Sequence, residues 1–529
     1  MIMKQKHSGK VLMIVALTII LLVTACSNST NENSTKSNEQ VAAPSVKDET
    51  PVETPSEPKK VSITAFDRGQ VSSDEGTYEK NRWVDWIREQ SGIEVTMVPV
   101  PKSKAKDTIN LLLASGQAPD LIWEYNRNYI GQLVTQGVLQ PIDEYIEKYS
   151  TSYKEYLKAN PELLPYLTFN GEMYAVSSKR SMNAIANHAM WIRQDWLDDV
   201  QLKTPTTMEE LIVVAKAFKE KYPDSTPIVG PNGEDIYAAL YGVNRALWYL
   251  EDGKMKYGAT MDRYADAIAL ERELFANNLL DREYLTDTSG ERAKQLWSTG
   301  KAGIYLGQWN IEGLLKDMLT NDPEAKPVPL ETVSTKYGKY GPFQEAPPLV
   351  FTVFNKDMKD PQAAVEYLDW LVDKGWFTLK NGLEGTHHTM TDGIAKAIDG
   401  DKFTKEVAYA GEYAVLNQEN IKPEDLPKRA APDELSQQVA NLMAGALQTA
   451  LKNEFRRDIP FQPNFDEINE IRATFDTFAS ETRAMNTVQG DKHSDDWAIT
   501  QIRNEWKRLG GEKAEEIANK WYEDNKASF

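Results

Sequence analysis

The chain has 529 residues, more than one ordinary domain of roughly 150 residues holds, so we expect about three compact units or two large lobes. Its 60 Lys and Arg against 79 Asp and Glu leave a net charge of −19, which repels phosphate backbones, so we expect no nucleic-acid partner. The one cysteine excludes an intramolecular disulfide framework and a thiolate metal cluster, and the 41% of hydrophobic residues excludes wholesale disorder.

The first residues predict a secretory leader that ends at a lipid-modified cysteine. Lysines precede an apolar run over residues 11–23, which is shorter than the about 20 residues that a membrane-spanning helix needs. Small residues follow, and then comes Cys26, the only cysteine of the chain. The segment 23–26 resembles a bacterial lipobox, which implies cleavage before Cys26 and acylation of its thiol. We therefore expect a signal peptide over 1–25 and a lipid anchor on the extracytoplasmic face of the cell membrane.

The residues after Cys26 predict a disordered tether. Residues 27–60 contain no aromatic side chain and are rich in Ser, Asn, Thr, Glu, Lys and Pro. Such a segment cannot bury enough apolar surface to offset the entropy lost on ordering. We therefore assign 26–60 to a lipid-anchored tether and 61–529 to the folded body.

The body begins with alternating strand and helix periodicities. The sequence predicts strands at 61–65, 93–97 and 120–123, with helices at 78–90 and 104–115 between them. This order is a βαβαβ unit, which implies a parallel sheet and a mixed α/β fold.

Turn and capping signals continue this α/β pattern. Asn170-Gly171 predicts a tight hairpin, and Thr206 with Glu209 and Thr207 with Glu210 form two overlapping capping boxes before a helix that runs to about residue 221. Other periodic segments predict a strand through 190–192, helices at 261–277, 311–319, 361–372, 434–451 and 465–483, and strands near 302–306 and 349–354.

The ends of the predicted strands indicate where a ligand would bind. Parallel sheets bind ligands in the crevice beyond the carboxyl ends of their strands. Arg68 follows the first strand, Trp123 and Tyr125 lie at the end of the third, and Trp309 follows the strand near 302–306. We therefore expect these polar and aromatic side chains to face a ligand.

Several short segments occur together in an order found in one known family. They read TINLLLASGQAPDLI at 108–122, NGEMY at 170–174, WIRQDWL at 191–197, PTTMEEL at 205–211 and GKAG at 300–303. The chain thereby resembles the bacterial extracellular solute-binding proteins of ABC importers, in the group that handles sugars and oligosaccharides. The resemblance implies a two-lobed periplasmic-binding-protein-like α/β fold, with a hinge between the lobes and a ligand cleft at their interface. It further implies a monomer without a cofactor, which binds an oligosaccharide and delivers it to an ABC transporter permease.

A sugar offers an apolar face and a rim of hydroxyls, so its site needs aromatic surfaces flanked by hydrogen-bonding groups. A tryptophan packs in a core more often than it binds a ligand, and the helical spacing of Trp83 and Trp86 is explained by packing alone. With that competing interpretation in view, the candidate ligand-binding residues are Arg68, Trp123, Tyr125, Arg193, Trp248, Trp309, Trp376, Glu384 and His388.

Metal and catalytic motifs are not found in the sequence. Some relatives carry a calcium loop, but the equivalent stretch 222–228 does not have the spaced carboxylates that calcium needs, and the adjacent His387 and His388 give no ligand set. We therefore expect no metal. A glycosidase needs only two well-placed carboxylates, so a membrane-anchored glycan-degrading enzyme stays an alternative. An oligopeptide-binding protein of an ABC importer is the other alternative.

Overall fold

A computed structural model describes residues 59–231, 235–287, 290–463 and 465–529. The predicted signal peptide and nearly all of the predicted tether lie in residues 1–58, outside the described residues. The described residues belong to one unit, Pro58–Phe529. Within that described part, no helix combines the length and the apolar character needed to cross a bilayer.

The first lobe is built on a five-stranded sheet. Its strands, in spatial order, are Glu94–Pro101, Lys60–Asp67, Leu121–Glu124, Phe351–Phe354 and Ala175–Val176. The first three of these strands run parallel, and Phe351–Phe354 is antiparallel to its two neighbours. The predicted βαβαβ unit is confirmed, with helices at Arg82–Ser91 and Ala105–Ala114. The first of these helices begins later than predicted because the Asn81 side chain accepts hydrogen bonds from the backbone N–H groups of Trp83 and Val84.

The second lobe is built on a four-stranded sheet and a large helical layer. Its strands, in spatial order, are Pro327–Leu330, His188–Arg193, Ala302–Gln308 and Thr226–Val229. Ala302–Gln308 is antiparallel to His188–Arg193, and Gln308 therefore pairs with His188 at one end of the sheet. The last four α-helices in chain order are Glu434–Lys452, Asp466–Val488, Asp495–Arg508 and Gly511–Asn525.

The other α-helices of five or more residues in the described chain belong to one lobe or the other. In the first lobe they are Arg127–Thr135, Asp143–Tyr149, Ser152–Ala159, Pro361–Trp370, Trp376–Asn381 and Gly400–Glu406. In the second lobe they are Gln194–Asp199, Met208–Lys221, Ile236–Leu240, Asp262–Ala276, Glu291–Ser298 and Glu312–Asn321.

The hydrophobic cores show that the chain passes between the lobes repeatedly. Residues 61–176 and 350–416 supply one core, whereas 186–333 and 439–518 supply the others. The chain therefore runs from the first lobe to the second, returns, and enters the second lobe again. The two-lobed α/β fold predicted from the sequence is confirmed.

Two local predictions have different outcomes. The hairpin at Asn170-Gly171 is confirmed, because Thr168–Phe169 pairs with Glu172–Met173 and both turn residues have positive φ angles, 53° and 89°.

Of the two capping boxes, Thr207 with Glu210 forms. The box of Thr206 with Glu209 does not, because the Glu210 carboxylate accepts both the Thr206 N–H and its hydroxyl.

We expect a protein shortened to residues 59–529 to unfold in the same cooperative transition as residues 27–529, because the described fold begins at Lys59. The start at Lys59 retains the hydrogen bond that its carbonyl accepts from Glu94 N at 2.9 Å, and the ion pair of its ammonium with Glu366. Thermal unfolding followed by circular dichroism checks this, with residues 27–529 as the control. Loss of the transition in the shorter protein alone would show that the body depends on the tether.

Candidate functional site

One wall of the candidate site is formed by the residues that follow three parallel strands of the first lobe. Arg68 follows Lys60–Asp67, Lys102 follows Glu94–Pro101, and Tyr125 follows Leu121–Glu124. Parallel pairing brings these strand ends to one edge of the sheet. They line a cavity of about 550 Å³, which we call the first-lobe cavity, together with other residues; the full lining is Arg68, Lys102, Tyr125, Asn126, Arg180 and Glu345.

Arg68 is oriented by two polar contacts. Its Nε donates to Oε1 of Glu412 at 2.6 Å, and its Nη2 donates to the Tyr125 hydroxyl at 3.0 Å. The guanidinium therefore holds the phenol ring at the cavity while it remains partly exposed itself. Burial raises the pKa of Tyr125, so its hydroxyl stays a neutral hydrogen-bonding group at physiological pH.

Lys102 approaches the same tyrosine from another strand end. Its Nζ lies 4.3 Å from the centre of the Tyr125 ring and 4.4 Å from the centre of the Phe66 ring, which are cation–π distances. Partial burial lowers the pKa of Lys102; the Glu124 charge opposes this shift and the Arg68 charge adds to it. The wall thus combines an aromatic surface with two cations.

The turn that presents Tyr125 is stabilised by local hydrogen bonds. Oε1 of Glu124 accepts from Tyr125 N at 2.7 Å and from Asn126 N at 3.3 Å. Asn126 then caps the next helix, because its side chain accepts from Asn128 N and Tyr129 N. The sequence therefore forms a strand, a stabilised turn and a capped helix, with Tyr125 at the turn.

The second lobe supplies most of a second group of polar residues. They line a cavity of about 390 Å³, the second-lobe cavity, with the lining Asn187, His188, Asp235, Asn244, Arg245, Ala246, Phe343 and Glu345. Arg245 forms an ion pair with Asp235. Two crossing segments, 177–185 and 334–349, connect the cores of the two lobes. Glu345 of the second segment lines both cavities, and Arg180 of the first lies 3.7 Å from it. The two cavities therefore meet where the chain passes between the lobes.

Two of the residues predicted from the sequence, Arg68 and Tyr125, are brought together in the first-lobe cavity. Trp123 and Trp309 are almost covered, with 2% and 6% of their surface exposed. The Trp123 indole donates to the Thr64 carbonyl at 2.7 Å, and the Trp309 indole donates to the Asn183 carbonyl at 3.1 Å. We therefore assign both tryptophans a supporting position and propose no direct sugar stacking for them.

Arg193 and Trp248 lie away from both cavities. Arg193 is at the end of its strand opposite His188, where it donates to Asp195 at 2.8 Å and to Asp322 at 3.1 Å. Trp248 is 2% exposed and packs against Trp506 in a helical core. The ion pairs and the core packing explain these two residues, and we propose no ligand contact for either.

The remaining candidates lie in the segment 376–388 of the first lobe, and none of them lines the two cavities. Trp376 is half-buried beside Phe377, and Glu384 is exposed. His388 is 2% exposed, with Nδ1 at 2.9 Å from the Asn381 carbonyl. The hydrogen bond to Asn381 accounts for the position of His388. Trp376 and Glu384 lie apart from the two cavities, so their ligand contacts stay predictions from the sequence.

Sequence reasoning missed several residues of the site. Lys102 obeys the same strand-end rule as Arg68 and Tyr125 and could have been found by it. Arg180, Arg245 and Glu345 follow no strand of the parallel unit, so no local signal identifies them. Across the part of the chain that the structure describes, no group of three or more His, Cys, Asp and Glu side chains is placed to hold a metal ion.

A two-lobed α/β fold with a polar and aromatic cavity beside the crossing segments is typical of a solute-binding protein. Residues 75–376 match the family described as bacterial extracellular solute-binding protein. The chain belongs to this family.

Individual proteins extend the comparison. The chain is 28% identical over 240 residues to the polygalacturonan/rhamnogalacturonan-binding protein YtcQ of Bacillus subtilis (strain 168), covering 43% of this chain and 47% of YtcQ, about half the length of that relative. It is 22% identical over 486 residues to lipoprotein LipO of the same strain, covering 86% of this chain and 91% of LipO. A crystal structure of an extracellular solute-binding protein from Bifidobacterium longum subsp. infantis superposes with a TM-score of 0.68 at 19% identity, covering 88% of this chain and 98% of that one.

Proposed function

We propose that this protein binds an oligosaccharide outside the cytoplasmic membrane and delivers it to the permease of an ABC importer, as a monomer and without covalent chemistry of its own. The observation that carries the proposal is the first-lobe cavity, where Tyr125 is flanked by Arg68 and Lys102. An aromatic ring beside hydrogen-bond donors matches the apolar face and hydroxyl rim of a sugar. The name of the relative YtcQ, a polygalacturonan/rhamnogalacturonan-binding protein, supports the same class of ligand.

Closure of the two lobes around the ligand would produce the form that delivers it to the permease. A ligand in the first-lobe cavity that also contacts Arg245 or His188 gains contacts only when both walls approach it. A ligand shifts such an equilibrium only by its difference in affinity for the open and closed states. Glu345, which lines both cavities, lies where such a ligand would span them.

Calorimetry with a panel of oligosaccharides and peptides tests the proposal on the protein and its Tyr125→Ala variant. Loss of the ring should weaken oligosaccharide binding by on the order of 1 to 3 kcal/mol, or roughly 5- to 150-fold. Tyr149→Ala is the matched control, because Tyr149 is also a half-buried first-lobe tyrosine with a lysine over its ring, 4.8 Å from Lys148. Binding of peptides alone would contradict the proposal, and so would new glycan products after timed incubation.

We propose further that acylated Cys26 anchors the protein to the extracytoplasmic face of the cell membrane. The lipobox-like segment 23–26 supports this, and so does the relative LipO, which is named a lipoprotein. Cys26 lies outside the described residues, so the support comes from sequence alone. Residues 27–60 would then separate the anchor from the body.

Replacing Cys26 with alanine should release or misprocess the protein without a change in its melting temperature, because the acylated thiol is removed while the unit Pro58–Phe529 keeps every residue. Detergent phase partitioning measures the anchor. Ser27→Ala is the control and should partition like the unmodified protein. Full partitioning of the Cys26→Ala protein into detergent after cleavage would contradict the anchor.

A further inference from the structure

The charge of the first-lobe cavity is opposite to the charge of the whole chain. The chain carries a net charge of −19. The cavity, in contrast, is lined by the cations Arg68, Lys102 and Arg180 and by one carboxylate, that of Glu345. A concave site with one sign of charge attracts ligands of the other sign. The excess of cations calls for a separate explanation, because a neutral sugar does not need it.

The cations differ in how their charge is balanced. Arg68 is paired with Glu412 at 2.6 Å, and Arg180 is 3.7 Å from Glu345. Among the residues that the structure describes, no carboxylate forms a direct ion pair with Lys102, although the charges of Glu124 and Glu412 act on it from farther away. Its ammonium rests over two aromatic rings instead.

An ammonium in this position favours an anion from outside the protein. Partial burial removes water from the charge and lowers the pKa of Lys102, while the charges of Glu124 and Glu412 oppose this shift without a direct ion pair. An anionic group that enters the cavity would restore the missing partner with a charge-assisted hydrogen bond. A sugar unit packed beside Tyr125 would carry such a group within reach of Lys102, since the Lys102 Nζ is 4.3 Å from the centre of that ring.

We infer, resting on the proposed function, that the ligand is an anionic oligosaccharide and that Lys102 is the residue that distinguishes it from a neutral one. The anionic group is a uronate carboxylate or a sulfate ester, which present the same chemistry to an ammonium. Lys102 pairs with this group, while Tyr125 packs against the sugar that bears it.

Calorimetry on the protein and its Lys102→Gln variant tests the inference. The anionic probes are oligogalacturonate, oligomannuronate and carrageenan oligosaccharides, which separate carboxylate from sulfate. Their uncharged partners are the methyl esters and the desulfated forms, and malto- and xylo-oligosaccharides are neutral probes. We expect an anionic probe to bind about 10- to 100-fold more tightly than its uncharged partner, as a hydrogen bond to a charged group does. Lys102→Gln keeps a hydrogen-bond donor but removes the charge, so it should remove that difference and weaken the anionic probe much more than its uncharged partner.

Two further variants serve as controls. Lys104→Gln removes an exposed lysine from the same short turn, Lys102–Lys104, and should leave all affinities unchanged. Lys102→Arg keeps the positive charge and should retain most of the discrimination, which shows that a loss in Lys102→Gln is not a folding defect.

The outcomes separate the inference from the proposed function. Tighter binding of neutral probes would leave the proposed function in place and overturn the inference. Equal loss for charged and uncharged partners in Lys102→Gln would also overturn it. If no oligosaccharide of either kind binds the unmodified protein, the proposed function and the inference both fall.

Discussion

Replacing Trp123 with alanine should lower the free energy of unfolding by about 3 to 5 kcal/mol, as large-to-small changes of buried tryptophan do. Trp123 is 2% exposed, and its ring centre lies 4.0 Å from that of Phe66 and 5.6 Å from that of Tyr125. The indole also donates to the Thr64 carbonyl at 2.7 Å, so its removal leaves that acceptor without this partner. Oligosaccharide affinity should fall as well, because Tyr125 loses its edge-to-face contact with the Trp123 ring.

Urea unfolding and calorimetry on one set of variants measure both effects. Trp376→Ala is the control, because Trp376 is only half-buried and lines neither cavity; its loss of stability should be clearly smaller. Trp309→Ala should behave like Trp123→Ala, since only 6% of Trp309 is exposed. Normal stability with strongly reduced affinity would instead support direct stacking, as the sequence predicted for both tryptophans.

Replacing Arg483 with methionine should lower the free energy of unfolding by about 3 to 5 kcal/mol, because it leaves a buried carboxylate without its charged partner. Nη1 of Arg483 donates to Oε2 of Glu271 at 3.0 Å, and the Thr487 hydroxyl donates to Oε1 at 3.1 Å. The two charged side chains are 6% and 4% exposed. The pair joins the helices Asp262–Ala276 and Asp466–Val488 inside the second lobe.

The pH dependence identifies the cause of this loss. Burial raises the pKa of Glu271 above its ordinary value, and loss of Arg483 should raise that pKa further. A carboxyl whose pKa is raised in the folded state binds more protons there than in the unfolded chain, so stability falls as pH rises through that range. The loss in free energy of unfolding caused by Arg483→Met should therefore be larger at pH 8 than at pH 5, as measured by urea unfolding.

Two further variants test the origin of the loss. The double variant Glu271→Leu with Arg483→Met removes both charges and should recover most of the loss. Arg503→Met removes the surface ion pair with Asp262 and should cost within about 1 kcal/mol. If Arg483→Met is as stable as Arg503→Met at every pH, the ion pair does not stabilise the second lobe.

Elements with strong local signals were predicted well. The helices predicted at 261–277 and 434–451 are observed at Asp262–Ala276 and Glu434–Lys452, and the hairpin at Asn170-Gly171 forms as expected. Side-chain periodicity and turn residues report conformation over a few residues, so they are readable without the fold. The residue types alone do not show which of the two capping boxes forms. In the structure the Glu210 carboxylate accepts the hydrogen bonds, so the box of Thr207 with Glu210 is the one that forms.

The sequence by itself determined the α/β class and the parallel unit at the start of the body. It also brought Arg68 and Tyr125 forward as candidates that the structure places in one cavity, because a strand end is a local feature and parallel pairing places such ends at one edge. Only the tertiary structure decided that Trp123 is covered, that Arg193 lies at the far end of its sheet, and that Glu345 joins the two cavities. Burial and contacts between distant segments depend on which surfaces pack together, and that packing is a property of the whole chain rather than of any short stretch of it.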